Sequence, residues 1–142
     1  MFEQFLKDNG MEMTIEWRGT VADPFPGDSG RNRKPQYYNH YKCVLSRGRL
    51  RHTLDFYTGM GWTKDPTVSD VLESVQLECR SGELDFEELC DEFGYDTDSR
   101  SAEKIHQACV KQRKGIERVM GDAFDRFMEL DFDLIDQADE EE

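Results

Sequence analysis

The sequence predicts an α+β fold, an antiparallel sheet of three or four strands packed by helices, with an acidic C-terminal helix. Three observations carry this prediction. Apolar and polar residues alternate from Met11 to Arg18, two further alternating runs flank a glycine turn between Tyr41 and Phe56, and from Pro66 onward capping residues precede apolar stripes at helical spacing.

In the first strand Met11, Met13, Ile15 and Trp17 alternate with Glu12, Thr14, Glu16 and Arg18, the period of a half-buried strand. Tyr41, Cys43 and Leu45 form the outgoing arm of a hairpin, Ser46-Arg47-Gly48-Arg49 makes its turn, and Leu50, His52, Leu54 and Phe56 alternate on the return. Between the strand and the hairpin, residues 19–39 hold Pro24, Pro26, Gly27, Gly30 and Pro35 with little periodicity and read as a long loop.

Helical grammar begins at Pro66-Thr67-Val68-Ser69-Asp70, where the Thr67 hydroxyl can accept a backbone N–H and Asp70 stands near the positive helix end. Val68, Val71, Leu72, Val75 and Cys79 form its stripe, with Ser81-Gly82 as the expected stop. Asp85 starts a second, short helix carrying Phe86, Leu89, Cys90 and Phe93 on one side, and Gly94 suits a left-handed cap. Both helices are expected on the sheet. A longer helix starts at Ser99 or Ser101, turns Ile105, Ala108, Cys109, Gln112, Ile116, Val119 and Met120 inward, and breaks around Gly121. Residues 1–121 thus read as the domain and 122–142 as an acidic helical extension, in which Phe124, Phe127 and Leu134 share a face opposite Asp125, Glu129, Asp133 and Asp136.

A chain of 142 residues fits one core, and 11% aromatic residues furnish it despite 35% charged residues. No apolar run is long enough for a membrane span, and Met1-Phe2-Glu3-Gln4-Phe5-Leu6-Lys7-Asp8 lacks the basic head and hydrophobic stretch of an export signal, so an intracellular, soluble protein is expected. Cys43, Cys79, Cys90 and Cys109 include no CxxC pair, which disfavours a disulfide framework and a zinc site and leaves free thiols packed as small apolar groups. No metal or cofactor is expected.

Charge is the strongest signal. The total is −13, concentrated in two places: residues 83–98 hold eight acids and no base, and residues 122–142 hold ten acids against Arg126 alone. Asp96-Thr97-Asp98 does not extend into a calcium loop, because Arg100, Ser101 and Gln107 occupy positions that need a ligand, a glycine and a closing Glu. Asp98 and Ser99 read as a turn and a helix cap instead. Carboxylates repeated along a helix form a rigid one-signed surface that can occupy a groove built for nucleic acid. Glu87, Glu88, Asp91, Glu92, Asp125, Glu129, Asp133 and Asp136 are the expected contact residues for a protein or ribonucleoprotein with such a groove.

Two rival readings remain open. Residues 31–51 hold Arg31, Arg33, Lys34, Lys42, Arg47, Arg49 and Arg51 with no acid, and with Tyr37, Tyr38 and Tyr41 they could follow a nucleic-acid strand, although the rest of the chain carries −20. Those cations could equally pair with the chain's own carboxylates, including across a homodimer. An enzyme built on His40, His52, His106 and the cysteines is the third reading, but no nucleophile, phosphate-loop or metal motif is present.

The stretch Phe86-Glu87-Glu88-Leu89-Cys90-Asp91-Glu92-Phe93-Gly94-Tyr95-Asp96-Thr97-Asp98-Ser99-Arg100-Ser101-Ala102-Glu103-Lys104-Ile105, after a hairpin and Pro66-Thr67-x-x-Asp70-Val71-Leu72, resembles a group of small uncharacterised proteins of tailed bacteriophages and prophages. The likeness covers roughly residues 40–120 and transfers no catalytic residue. It implies a phage origin and action in the host bacterial cytoplasm. By analogy with small acidic phage inhibitors, including anti-CRISPR proteins, the expected function is non-enzymatic inhibition of a host nucleic-acid-binding defence complex.

Overall fold

The computed structural model describes residues 2–24, 34–62 and 64–130. Helix α1 (Phe2–Asp8) leads through Gly10 into strand β1 (Met11–Ala22), followed by the hairpin of β2 (Tyr37–Arg47) and β3 (Leu50–Gly59). Helices α2 (Val68–Glu83), α3 (Phe86–Phe93) and α4 (Arg100–Met120) come next, and a 3-10 turn at Gly121–Ala123 leads into α5 (Phe124–Glu129). The strands lie in the order β1-β2-β3, antiparallel throughout, which is the predicted α+β architecture.

Cross-strand partners share a face, so the register places Met11, Met13, Tyr41, Cys43, Leu45 and Leu54 on one side of the sheet, where all are buried. That face joins Val71, Leu72, Val75 and Cys79 of α2 and Ile116, Val119 and Met120 of α4 in one core. The opposite face carries exposed Glu12, Thr14, Glu16, Thr53 and Asp55. Phe124 and Phe127 also belong to the core, Phe127 lying 5.6 Å from the Phe2 ring, so Gly121 marks a change of helix direction rather than an exit from the fold. No helix among the described residues is long and apolar enough to cross a membrane.

Four expectations are corrected. The 19–39 loop is shorter than predicted, because β1 continues to Ala22 and β2 starts at Tyr37. The pairing jumps from Trp17↔Tyr41 to Gly19↔His40, so Arg18 is the extra residue of a bulge, and the bulge shifts the alternation that makes a strand visible in sequence. The hairpin turn is also tighter than four residues, since Arg47 pairs with Leu50 and Gly48 has the positive φ (59°) that a two-residue turn requires.

Helix α2 runs through Gly82 to Glu83. A Cβ at Gly82 would lie 2.4 Å from the Cys109 carbonyl oxygen, so this glycine permits the close crossing of α2 and α4 instead of ending the helix. Finally, α3 packs against α4 rather than on the sheet: the Phe86 and His106 rings are 5.8 Å apart, and His106 Nε2 donates to the Leu84 carbonyl oxygen at 2.9 Å. Of the acidic helical extension expected over 122–142, the structure describes α5 as far as Glu129, and residues 131–142 lie outside the described residues.

Candidate partner-binding surface

Helix α3 is short but firmly bounded. The Asp85 carboxylate accepts from the Glu88 N–H at 2.8 Å, a bond that holds the Asp85 carboxyl below its ordinary range, and Gly94 closes the helix in the left-handed conformation (φ 72°). Leu89 and Cys90 are buried and anchor one side. Glu87, Glu88, Asp91 and Glu92 all face solvent. Beyond Gly94, Asp96 accepts from the Asp98 N–H at 3.1 Å and Ser99 accepts from the Ala102 N–H at 3.1 Å, so Asp98 and Ser99 form the expected turn and cap.

Glu87 and Glu88 suit the first turn of α3, but the charges at its other end do not. Asp91 and Glu92 occupy a last turn that contains no base, where the helix dipole favours cations. Glu87 and Asp91, and Glu88 and Glu92, are like-charge pairs at i,i+4, each destabilising by roughly 0.2–0.5 kcal/mol. Among the described residues, none of these four carboxylates forms an ion pair.

Several acids elsewhere are paired. Arg113 meets Glu117 at 2.6 Å and Glu83 at 3.7 Å, and His40 meets Asp55 at 2.8 Å. At the other end of α4, Arg47 Nη1 donates to the Met120 carbonyl oxygen at 2.5 Å and to Asp122 at 3.0 Å, which holds the Asp122 carboxyl below its ordinary range. Arg118 donates to the Arg51 carbonyl oxygen, tying the same helix end to the hairpin.

The two acidic clusters stand on different helices. Helix α3 contacts α4 around His106, whereas Asp125 and Glu129, both exposed, belong to α5, which folds back so that Phe124 lies under Arg113 and the Phe127 and Leu130 carbonyls meet Gln76 of α2. Asp133 and Asp136 lie outside the described residues.

Beside α3 lies a groove that sequence reasoning did not anticipate. It has a volume of about 610 Å³ between α2 and α3 and is lined by Leu77, Leu84, Phe93 and Cys109, with Glu78, Arg80 and Glu92 among its polar neighbours. Leu77 is 57% exposed and Phe93 51%. The available signal was Leu77 itself, an apolar residue off the Val71–Leu72–Val75–Cys79 stripe.

The basic segment is partly engaged with the chain's own acids. Arg47 holds Asp122, and Lys42 sits in one cross-strand row between Glu16 and Asp55. Lys34, Arg49 and Arg51 are exposed, while Arg31 and Arg33 lie outside the described residues. Tyr37 is exposed, Tyr41 is buried, and His40 stacks on Tyr57 at 5.0 Å.

His52 Nε2 lies 2.5 Å from Gln112 Oε1, and the Gln112 amide in turn bonds the Glu78 carboxyl, linking β3, α4 and α2. Burial pushes the Glu78 carboxyl above its ordinary range despite that bond. All four cysteines are buried and free; burial pushes the Cys43 and Cys109 thiols up to about 11 and Cys79 to about 12, away from the thiolate a nucleophile needs. Among the described residues, no three His, Cys, Asp or Glu side chains gather as a metal site.

Compared with protein-family models, curated proteins and solved structures, the chain matches none.

Proposed function

We propose that this protein is a phage-encoded, non-enzymatic inhibitor that acts in the host bacterial cytoplasm on a defence complex with a basic nucleic-acid groove. The outer face of α3 is its primary contact surface. One observation carries the reading: among the described residues four exposed carboxylates, two of them opposing the helix dipole, form no ion pair on a helix whose caps and buried anchors fix their spacing. A departure from a local stability rule is expected where a site serves something outside the molecule. A cationic groove supplies the missing partner and gains speed and salt sensitivity from the concentrated field. Asp125 and Glu129 of α5, with Asp133 and Asp136, extend the contact.

Two quadruple variants test this, one per cluster: Glu87→Gln/Glu88→Gln/Asp91→Asn/Glu92→Gln and Asp125→Asn/Glu129→Gln/Asp133→Asn/Asp136→Asn. The target is first recovered by co-purification from infected cells, and binding is then measured in competition with the target's own nucleic acid. The α3 variant is expected to lose at least tenfold in affinity, a change of about 1.4 kcal/mol, with a shallower salt dependence. Unchanged affinity, or a partner that binds this chain and its nucleic acid together, would refute the reading. Direct binding of DNA or RNA by this chain in a gel shift, weakened by neutralising Lys34, Arg49 and Arg51, would instead favour a nucleic-acid-binding accessory role.

A further inference from the structure

Acidic charge alone would attract any polycation, so the groove beside α3 is what can confer selectivity. Leu77 projects from α2 away from the buried stripe, Phe93 ends α3, and Leu84 lies with them in one concavity. Single exposed apolar residues are ordinary on a protein surface. Here two large ones, each more than half exposed, line the same groove, whose α3 wall ends in Glu92 beside Asp91.

We infer that this groove receives an amphipathic helix of the target, with apolar residues on one stripe and Lys or Arg on its flanks. The inference rests on the reading of α3 as a surface for a basic partner and names the element that surface holds. Charge complementarity selects the flanks: on the α3 side Glu92 and Asp91, with Glu88 one turn back, can meet cations lying along the groove, whereas the lining cation Arg80 stands on the α2 wall. The walls select the conformation. They are helices whose interior backbone groups are already bonded, so they offer no sheet edge, and an extended peptide would leave its own amides unpaired. A helical occupant satisfies its backbone internally. From Ser74 to Ser81 the α2 wall spans roughly 10 Å, about two helical turns, which matches anchors at i, i+3 or i+4, and i+7.

The test uses the full chain and synthetic peptides: one helix-forming peptide with Leu at i, i+3, i+4 and i+7 among Lys residues, and a scrambled peptide of the same composition. Affinity is read by fluorescence anisotropy and location by amide chemical-shift mapping. The patterned peptide should bind about tenfold more tightly than the scrambled one and shift Leu77, Leu84 and Phe93. Leu77→Gln/Phe93→Gln should erase that preference while leaving salt-sensitive residual binding. Both positions are solvent-facing, and thermal melts check that the fold is kept. The α3 quadruple variant should weaken both peptides alike.

Equal affinity for the two peptides overturns the groove inference and leaves the acidic-face reading standing. Failure of both to bind removes both. A dimer detected by sedimentation and dissolved by Lys111→Glu/Lys114→Glu, substitutions on the basic outer side of α4, would assign the groove to a second copy and overturn the inference.

Discussion

The two ends of α4 solve the same electrostatic problem in opposite ways. At the C-terminal end, exposed Asp122 is paired with Arg47, the Met120 carbonyl has the same arginine as donor, and Arg118 reaches back to the hairpin. At the N-terminal end, α3 carries four carboxylates that form no ion pair among the described residues, and it leaves Phe93 half-exposed. Asp122 at the first end serves the fold, whereas Asp91 and Glu92 at the second oppose the dipole of their own helix. Acidic residues of similar density in the sequence can therefore differ in role, and local pairing separates them.

The sharpest way to break this comparison is to cut the C-terminal end loose. Buried Gln76 of α2 donates through Nε2 to the Phe127 and Leu130 carbonyl oxygens, at 2.9 and 2.7 Å, and so holds the end of α5. Gln76→Leu removes both bonds. The Phe127 carbonyl keeps the Leu130 N–H as a donor, while the part-buried Leu130 carbonyl loses this one. Two lost bonds at about 1 kcal/mol each, with the added apolar contact set against the cost of leaving the Leu130 carbonyl less satisfied, give a net loss of about 2 kcal/mol in urea unfolding. A loss under about 0.5 kcal/mol would show that α5 is held by its phenylalanines alone.

Arg47→Met follows in size. It keeps the apolar stem but removes the donor to Met120 and the partner of Asp122, and should lower stability by about 1–2 kcal/mol, roughly 3–8 °C in Tm. Peptide or target binding at α3 should be unaffected. If Arg47→Met weakens binding as much as the α3 variant does, the two ends are not functionally distinct.

Between the ends, Glu78 gives a pH test. Its raised carboxyl means that the folded protein holds this proton more tightly than the unfolded chain does, so its contribution is greatest below the ordinary carboxylate range and declines as pH rises through the raised value. Glu78→Gln keeps an acceptor for Gln112 and removes the buried charge. The variant should be more stable than the wild type at neutral pH and show a flatter urea midpoint from pH 4.5 to 7. An unchanged slope would place the Glu78 charge in water.

How much of this was legible in the sequence depends on the range of the interaction. Caps at Thr67, Asp85 and Ser99 and the left-handed Gly94 are local and could be read directly. Helix α1 left only Phe2 and Leu6 at i,i+4 as a signal, too short a pattern to stand out. The bulge at Arg18 hid the second half of β1, and Gly82 imitated a helix stop while serving a helix crossing. The acids of the candidate surface could be named from sequence, but their pairing could not. Asp122 pairs with an arginine 75 residues earlier in the chain, whereas Glu92 forms no ion pair among the described residues. The groove depended on α3 lying against α4 instead of the sheet, a tertiary choice that periodicity does not encode.

The smallest expected stability effect is also the most informative. Neutralising Glu87 and Glu88 removes favourable interactions with the α3 N-terminus, while neutralising Asp91 and Glu92 relieves an unfavourable dipole interaction and both i,i+4 repulsions. These contributions have opposite signs and similar size, so the α3 quadruple variant should unfold within about 0.5 kcal/mol of the wild type, and slightly more stably at low salt, where the repulsions are least screened. Affinity for the cationic partner should fall in the same variant. Stability held or raised while binding is lost is the signature of charge maintained for a partner. A clear destabilisation would instead show that α3 uses its carboxylates at home, as Asp122 does.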